Sequence, residues 1–330
     1  MAKGEWVDFG WQGVRLRVPE AWNLGKVDGS YKSGYARLDD PTMVRAEVEW
    51  RAAVKGVTLD KLVDRYLENL EKKAGKASLD FSVKRRAKVL GDKRFLEGCE
   101  YETFVWEADY RAYNLARRCP HCGRITLLRL LTRLDEKFDP DLEAVFASLE
   151  DHPDERGVFW SLYGLRFFSP DEFKLREHQL KSGHIQLVFE KGREELKVHR
   201  LSMAQMLLKD APLAAWFEHF FKKQLRDFKF ETADGAVGEH EGVRVEGRPR
   251  SRWRQLLRPL PLVNPRPRRH LLARAWHSKN TNKICAVEHL FPKKGGDDGL
   301  LEGVVDGYFQ FEEGTETQSR GDAQLAPGAQ

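Results

Sequence analysis

A short segment, Cys119-Pro120-His121-Cys122-Gly123, has the composition of a metal site. Two thiolates separated by two residues at a tight turn can bind one zinc ion, and the following glycine relieves the turn where backbone amides point at sulfur. Because a structural zinc ion takes four ligands, Cys119 and Cys122 predict only half of such a site. A further ligand would come from His152 or from a partner chain, since Cys99 falls several residues from the turn.

Two other interpretations of these cysteines stay open. The same spacing occurs in thiol oxidoreductases, where the first cysteine lies at a helix N-terminus that lowers its pKa. Here the residues that follow, Ile125 to Leu131, have a strand-like composition instead. A reduced hairpin turn that binds no ion is the third interpretation.

A second feature is a basic segment between Arg248 and Arg274, with nine arginines, five prolines and no acidic residue. Guanidinium groups match phosphates and carboxylates, and an interleaved aromatic ring can stack on bases. The segment therefore predicts a partner-binding loop, with a protein as the expected partner and RNA or DNA as the alternative. The candidate binding residues are Arg248, Arg250, Arg252, Trp253, Arg254, Arg266, Arg268 and Arg269. A solvated loop whose leucines pack back on its own domain is the simpler reading.

The composition excludes several function classes. A net charge of +5 from 56 basic and 51 acidic side chains is too small to indicate nucleic-acid binding by itself. No apolar run is long enough to cross a bilayer, and the first residues lack the apolar stretch of a secretion signal, so we expect a cytoplasmic protein. Four cysteines argue against a disulfide framework. The common catalytic and nucleotide-binding motifs do not occur. This favours a non-enzymatic binding protein that engages a macromolecular partner through the arginine-rich loop or through a cleft between two similar halves of the chain.

The elements that position these residues occur twice along the chain. Gly13-Val14-Arg15-Leu16 returns as Gly164-Leu165-Arg166-Phe167, and other matches follow at a nearly constant offset until the second copy gains extra residues after Gly247. The matches predict a tandem duplication, with a first repeat at 1–152, a second at 153–312 with an insertion at 248–270, and a disordered tail at 313–330. The cysteines of the first copy are replaced by Ser278 and Thr281 in the second.

Each repeat is predicted to combine strands with two helices. Residues 13–18 alternate as a half-buried strand, and a helix should begin after Thr58, which can cap it. Three antiparallel strands are expected between Phe95 and Leu131, and a closing helix after Asp139. This order predicts an α+β fold of two similar domains, each an antiparallel sheet covered by helices.

That order of elements resembles the PsbP-like fold, the family of the photosystem II extrinsic subunit, which also includes a Ran-release factor. The resemblance rests on the element order and on a strand followed by Pro-x-x-aromatic, at Pro19 to Trp22 and at Pro170 to Phe173. It implies proteins that act mainly by binding other proteins. It carries no catalytic residues over to this chain, and neither the cysteine turn nor the arginine-rich insertion belongs to the family.

Overall fold

The structure is a computed structural model. It describes residues 5–53, 56–137, 139–153, 155–250, 268–292 and 298–321, with side chains up to residue 309 in the last helix. The chain divides into two compact units, Met1–Gly164 and Leu165–Gln330. The boundary predicted between residues 152 and 153 lies within the first unit. Within the described ranges, no helix is long and apolar enough to span a membrane.

The first unit contains a seven-stranded antiparallel sheet with the strand order β3-β4-β5-β9-β8-β7-β6. These strands are β3 (Asn23–Gly29), β4 (Ser33–Asp39), β5 (Val44–Arg51), β6 (Ser82–Arg85), β7 (Glu100–Glu107), β8 (Arg111–Arg118) and β9 (Ile125–Thr132). A separate antiparallel group places β1 (Trp6–Trp11) between β2 (Val14–Pro19) and β10 (Val158–Leu162). The helices are α1 (Leu59–Lys76) and α2 (Pro140–Ala147), with one 3₁₀ turn at Arg94–Leu96.

The second unit contains a seven-stranded antiparallel sheet with the order β12-β13-β14-β18-β17-β16-β15. The strands of this sheet are β12 (Lys174–Lys181), β13 (His184–Lys191), β14 (Glu194–Ser202), β15 (Phe228–Val237), β16 (His240–Pro249), β17 (His270–Ser278) and β18 (Lys283–Phe291). One more strand of the unit, β11 (Leu165–Ser169), lies outside this sheet. Its helices are α3 (Ala204–Leu208), α4 (Leu213–Phe220), α5 (Lys222–Leu225) and α6 (Asp298–Gly321). Helix α6 packs against β11 and β18. The predicted tail, 313–330, overlaps the end of α6 and otherwise lies outside the described residues.

The two large sheets have the same strand order. Each strand of the first sheet corresponds to the strand numbered nine higher in the second sheet. Strands β3 and β12 form one edge of their sheets, and β6 and β15 form the other. The central pairing is also equivalent, because Ile125 at the start of β9 pairs with Arg51, and Ile284 near the start of β18 pairs with Leu201. Residue positions can therefore be compared between the two sheets strand by strand.

The predicted α+β fold class is wrong. Strands make up 49% of the structure and helices 21%, so the protein is mostly β and is built from large antiparallel sheets. The error comes from strands that carry no apolar alternation. All four residues of β6 are exposed, and β12 is exposed or half-buried along its whole length. An edge strand of this kind is held by backbone pairing with its neighbour, which a hydropathy pattern does not reveal.

Both predicted helix starts in the first unit are confirmed. Thr58 is the N-cap of α1, and its side chain accepts a hydrogen bond from the backbone N–H of Lys61. Asp139 caps α2 in the same way, with Pro140 at the first helical position. The buried face of α1 packs against the half of the sheet formed by β7 and β8.

Candidate metal centre

The predicted cysteine segment forms the hairpin turn between β8 and β9. The backbone N–H of Cys119 donates to the carbonyl of Arg124 over 2.8 Å, and the N–H of Gly123 donates back to the carbonyl of Cys119 over 3.0 Å. Gly123 has a φ of 70°, in the left-handed region that a residue with a side chain rarely adopts. The turn therefore depends on this glycine, and it places both cysteines at one end of the sheet.

The sulfur of Cys119 is buried within this turn. Backbone N–H groups of Cys122 and His121 point at it, and the Cys122 side chain hydrogen-bonds with it. Burial raises the pKa of the Cys119 thiol to about 11, because the apolar surroundings disfavour the thiolate. Cys122 is exposed. N–H groups that point at a sulfur stabilise its thiolate form, and two neighbouring thiolates can bind one metal cation. The arrangement around Cys119 and Cys122 therefore suits a metal site.

A second chain segment, Asp151-His152, lies over the turn. Asp151 is 1% exposed, and its carboxylate accepts hydrogen bonds from Arg117 and from the Thr126 hydroxyl, both over 3.1 Å. Its backbone carbonyl accepts a hydrogen bond from Arg124. These contacts tie residue 151 to β8 and β9, and so hold His152 next to the cysteines.

The structure thus brings three ligand-type side chains together. One potential ligand atom each from Cys119, Asp151 and His152 lies within 4.8 Å of the others. The Cys119 sulfur is 3.6 Å from His152 Nδ1, and the His121 and His152 rings are 4.8 Å apart. His152 is the further ligand that the sequence suggested. Asp151 was missed, because nothing in the polar stretch around it shows that it would be buried. Neither Cys99 nor the predicted ligand Cys122, which is exposed, belongs to this group of three side chains.

Half of the predicted arginine-rich binding set falls on described residues. Arg248 and Arg268 are exposed. The backbone N–H of Arg250 donates to the carbonyl of Asp227, and its side chain donates to the backbone carbonyl of Phe228. The guanidinium group of Arg269 lies 3.5 Å from the carboxylate of Glu195. The other predicted residues, Arg252, Trp253, Arg254 and Arg266, lie outside the described residues. Two of the arginines at the base of the segment therefore have structural partners in their own unit.

Comparisons with known proteins leave the family open. No protein-family model matches the chain, and no curated protein matches it. A solved structure, the immunity protein TplEi of the T6SS from Pseudomonas aeruginosa in complex with "L" peptide, aligns over 92% of this chain and 96% of its own with 10% sequence identity. Its TM-score is 0.33, too low to carry an argument about this protein. The resemblance to the PsbP-like family is not tested by these comparisons and stays a prediction.

Proposed function

We propose that this chain is a non-enzymatic binding protein whose first unit is stabilised by a zinc ion bound to Cys119, Cys122 and His152. The observation that carries the proposal is the 3.6 Å distance between the Cys119 sulfur and His152 Nδ1. A zinc ion with sulfur at ~2.3 Å and nitrogen at ~2.0–2.1 Å separates these two ligands by about 3.6 Å when the angle between them is tetrahedral. The protein atoms are therefore already spaced as two zinc ligands.

His121 is the best fourth ligand. Its ring lies beside that of His152, and it belongs to the same turn as the two cysteines. Asp151 is less suited, because its carboxylate is already bound by Arg117 and Thr126. With two thiolates and two neutral imidazoles the loaded site would carry no net charge, which reduces the cost of burying the Cys119 sulfur beside the ion.

The state of the Cys119 thiol argues against the redox alternative. A cysteine that attacks disulfides needs a lowered pKa, so that the thiolate is populated at neutral pH. Burial raises the pKa of Cys119 instead. A structural metal site has no such requirement, since the ion itself removes the thiol proton when it binds.

Metal analysis of the full chain tests the proposal. Protein purified without chelator, or dialysed against micromolar zinc, should contain about one zinc ion per chain. The double variant Cys119→Ser, Cys122→Thr should lose it, whereas Cys99→Ser should keep it. A ligand present at about 1,000 times its Kd stabilises the folded state by about 4 kcal/mol, so a chelator should also lower the Tm of the native protein and leave that of the double variant unchanged.

The double variant is a matched control because the second unit already has these residues. Thr281 donates a hydrogen bond to the Ser278 hydroxyl over 2.8 Å at the equivalent turn, between β17 and β18. We therefore expect the altered turn to fold without metal. Zinc retained by the double variant, or absent from the native protein, would contradict the proposal.

A further inference from the structure

A cavity of about 280 Å³ lies between helix α1 and the sheet of the first unit. Most of its wall is apolar, with these side chains facing it: Leu59, Leu62, Val63, Tyr66, Phe104, Ala116, Ile125 and Leu127. Three exposed residues, Ser33, Glu49 and Arg51, lie on its rim at the β4 and β5 side. The cavity is therefore an apolar pocket with a polar edge.

The second unit has an equivalent position on its sheet, with different side chains and a different covering. Glu49 pairs with Leu127 across β5 and β9, and the equivalent pair across β14 and β18 is His199 with Ala286. The second unit places its own aromatic rings over this position. The Phe221 ring lies 5.2 Å from that of His199, and the Phe217 ring lies 4.5 Å from that of Phe221.

These rings belong to a hydrophobic core that also contains the residues of β14 and β18 beneath them. Phe217 and Phe221 are buried, and they lie in one cluster with Leu201, Ile284 and Ala286. The equivalent positions in the first unit, Arg51, Ile125 and Leu127, all line the cavity. The same site on the same sheet is thus filled by aromatic side chains in one unit and bounds a cavity in the other.

We infer that the cavity of the first unit binds an aromatic side chain from a partner protein. This inference rests on the binding function proposed above, but not on the zinc ion. The second unit shows that phenyl rings fit over this position of the sheet, because its own helices supply them there. Burying an aromatic ring in such a pocket contributes a large part of the affinity of many protein interfaces.

The size and rim of the cavity favour a protein side chain over a cofactor. Pockets for cofactors and metabolites have volumes of roughly 300–1,000 Å³ and several convergent polar groups. This cavity, at about 280 Å³, lies just below that range, and its polar residues lie at the edge. An apolar pocket surrounded by a polar rim is the usual arrangement around an aromatic anchor at a protein interface. Here Arg51 offers a positive charge to the residues that flank the anchor, whereas Glu49 is already paired with Arg129.

Methyl NMR of the full-length protein tests the inference with defined peptides. The probe is the peptide acetyl-Gly-Ser-Phe-Ser-Gly-amide, and the comparison peptide has leucine in place of phenylalanine. We expect saturable shifts of the Val63, Ile125 and Leu127 methyl signals with the phenylalanine peptide, and binding at least about tenfold weaker with the leucine peptide. Toluene is added in a separate titration. It tests whether the cavity binds a free aromatic ring but not a phenylalanine side chain within a peptide.

Substitutions at two walls of the cavity provide the controls. Leu62→Phe fills it from the helix and Ala116→Leu from the sheet, so each should abolish the shifts even if the other fails to fold. Phe221→Ala should create a second binding site, reported by the Ile284 methyl, because an apolar cavity opened in a core can take up a small aromatic ligand.

Each remaining outcome overturns a defined part of the inference. No saturable shift, or shifts that persist in both filled variants, would exclude the cavity as the site. Equal binding of the leucine peptide would exclude aromatic selectivity, and binding of toluene alone would exclude a protein partner. The zinc content of the same sample is measured independently, so a failure of the proposed metal site is distinguishable from a failure of this one.

Discussion

The β5–β9 pair of the first unit and the β14–β18 pair of the second carry ion pairs of opposite polarity at the same position. Glu47 is paired with Arg129 across the first two strands, and their charged groups are 2.8 Å apart. Lys197 is paired with Glu288 across the other two, with their charged groups 3.9 Å apart. The two sheets therefore place opposite charges on the equivalent strands at this position.

The surroundings explain why the two pairs differ in distance. Arg129 also binds Glu49 over 3.1 Å and lies over the Tyr66 ring, so it is held from several sides. Glu288 is fully buried, and burial raises its pKa because the carboxylate loses its hydration. Burial therefore weakens the attraction between Glu288 and Lys197, whereas the first pair is reinforced by the other contacts of Arg129.

The largest expected effect follows from breaking the first pair. Arg129→Met leaves Glu47 and Glu49 without their shared cation. Because the pair is only half-buried, the cost should lie between the ~0–1 kcal/mol of an exposed pair and the ~3–5 kcal/mol of a buried one. The matching change in the second unit, Glu288→Gln, should cost less, because burial already disfavours the carboxylate that this change removes. Urea unfolding of the full chain measures both, and hydrogen exchange assigns each loss to its unit.

A charge swap sharpens this prediction. The double variant Glu47→Lys, Arg129→Glu copies the polarity of the second unit into the first. It should be more stable than the sum of its two single variants predicts, because the swapped charges again attract each other. Additive losses would show that the contacts of Arg129 with Glu49 and Tyr66, and not the polarity of the pair, decide the stability of this position.

The features that were predictable from sequence are those fixed by neighbouring residues. The start of α1 follows from Thr58 beside a helical apolar stripe, and the start of α2 follows from Asp139 and Pro140. The strand β2 follows from simple alternation. The fold class was not predictable in this way, since strands such as β6 expose every side chain and are recognised only through their pairing partner.

The candidate metal centre was predictable only in part, for the same reason. The spacing of Cys119 and Cys122 is a local signal, and it located the turn correctly. Asp151 belongs to the site through contacts with Arg117 and Thr126, which are 34 and 25 positions away. No spacing rule links these residues, because their approach depends on how the segment after α2 returns to the sheet.

A smaller effect should distinguish the two units at mildly acidic pH. Burial holds the pKa of His199 well below its usual 6.5, and His184 and Lys197 add to the shift. Because the folded state disfavours the charged imidazole, its contribution to stability is complete above pH 6.5 and is lost as the pH falls below that value. In the first unit, the hydrogen bond from Arg45 lowers the pKa of Glu136, so that contribution is lost only below about pH 4.5.

The raised pKa of Glu288 acts in the opposite direction, since its stabilising contribution is present at low pH and is lost as the pH rises. The prediction is therefore tested in the Glu288→Gln variant, in which the histidine contributions remain. Its stability should decrease between pH 7 and pH 5.5, by at most about 1.4 kcal/mol per pH unit for each proton bound. Adding His199→Gln should flatten this dependence. If protection from hydrogen exchange decreases in the first unit instead, the loss of stability comes from groups other than His199.

The smallest expected effect concerns how the helices over the two sheets begin. Thr58 accepts a hydrogen bond from Lys61 at the start of α1, whereas α4 follows Pro212 without any side-chain cap. Thr58→Ala should cost about 1 kcal/mol, measured by urea unfolding, and Thr58→Ser should cost almost nothing. The N–H of Leu59 is also bound by Glu100, over 3.2 Å. If Thr58→Ala does not change the stability, the Glu100 carboxylate is a sufficient hydrogen-bond acceptor for the first turn of α1. The N-cap would then not distinguish the two units.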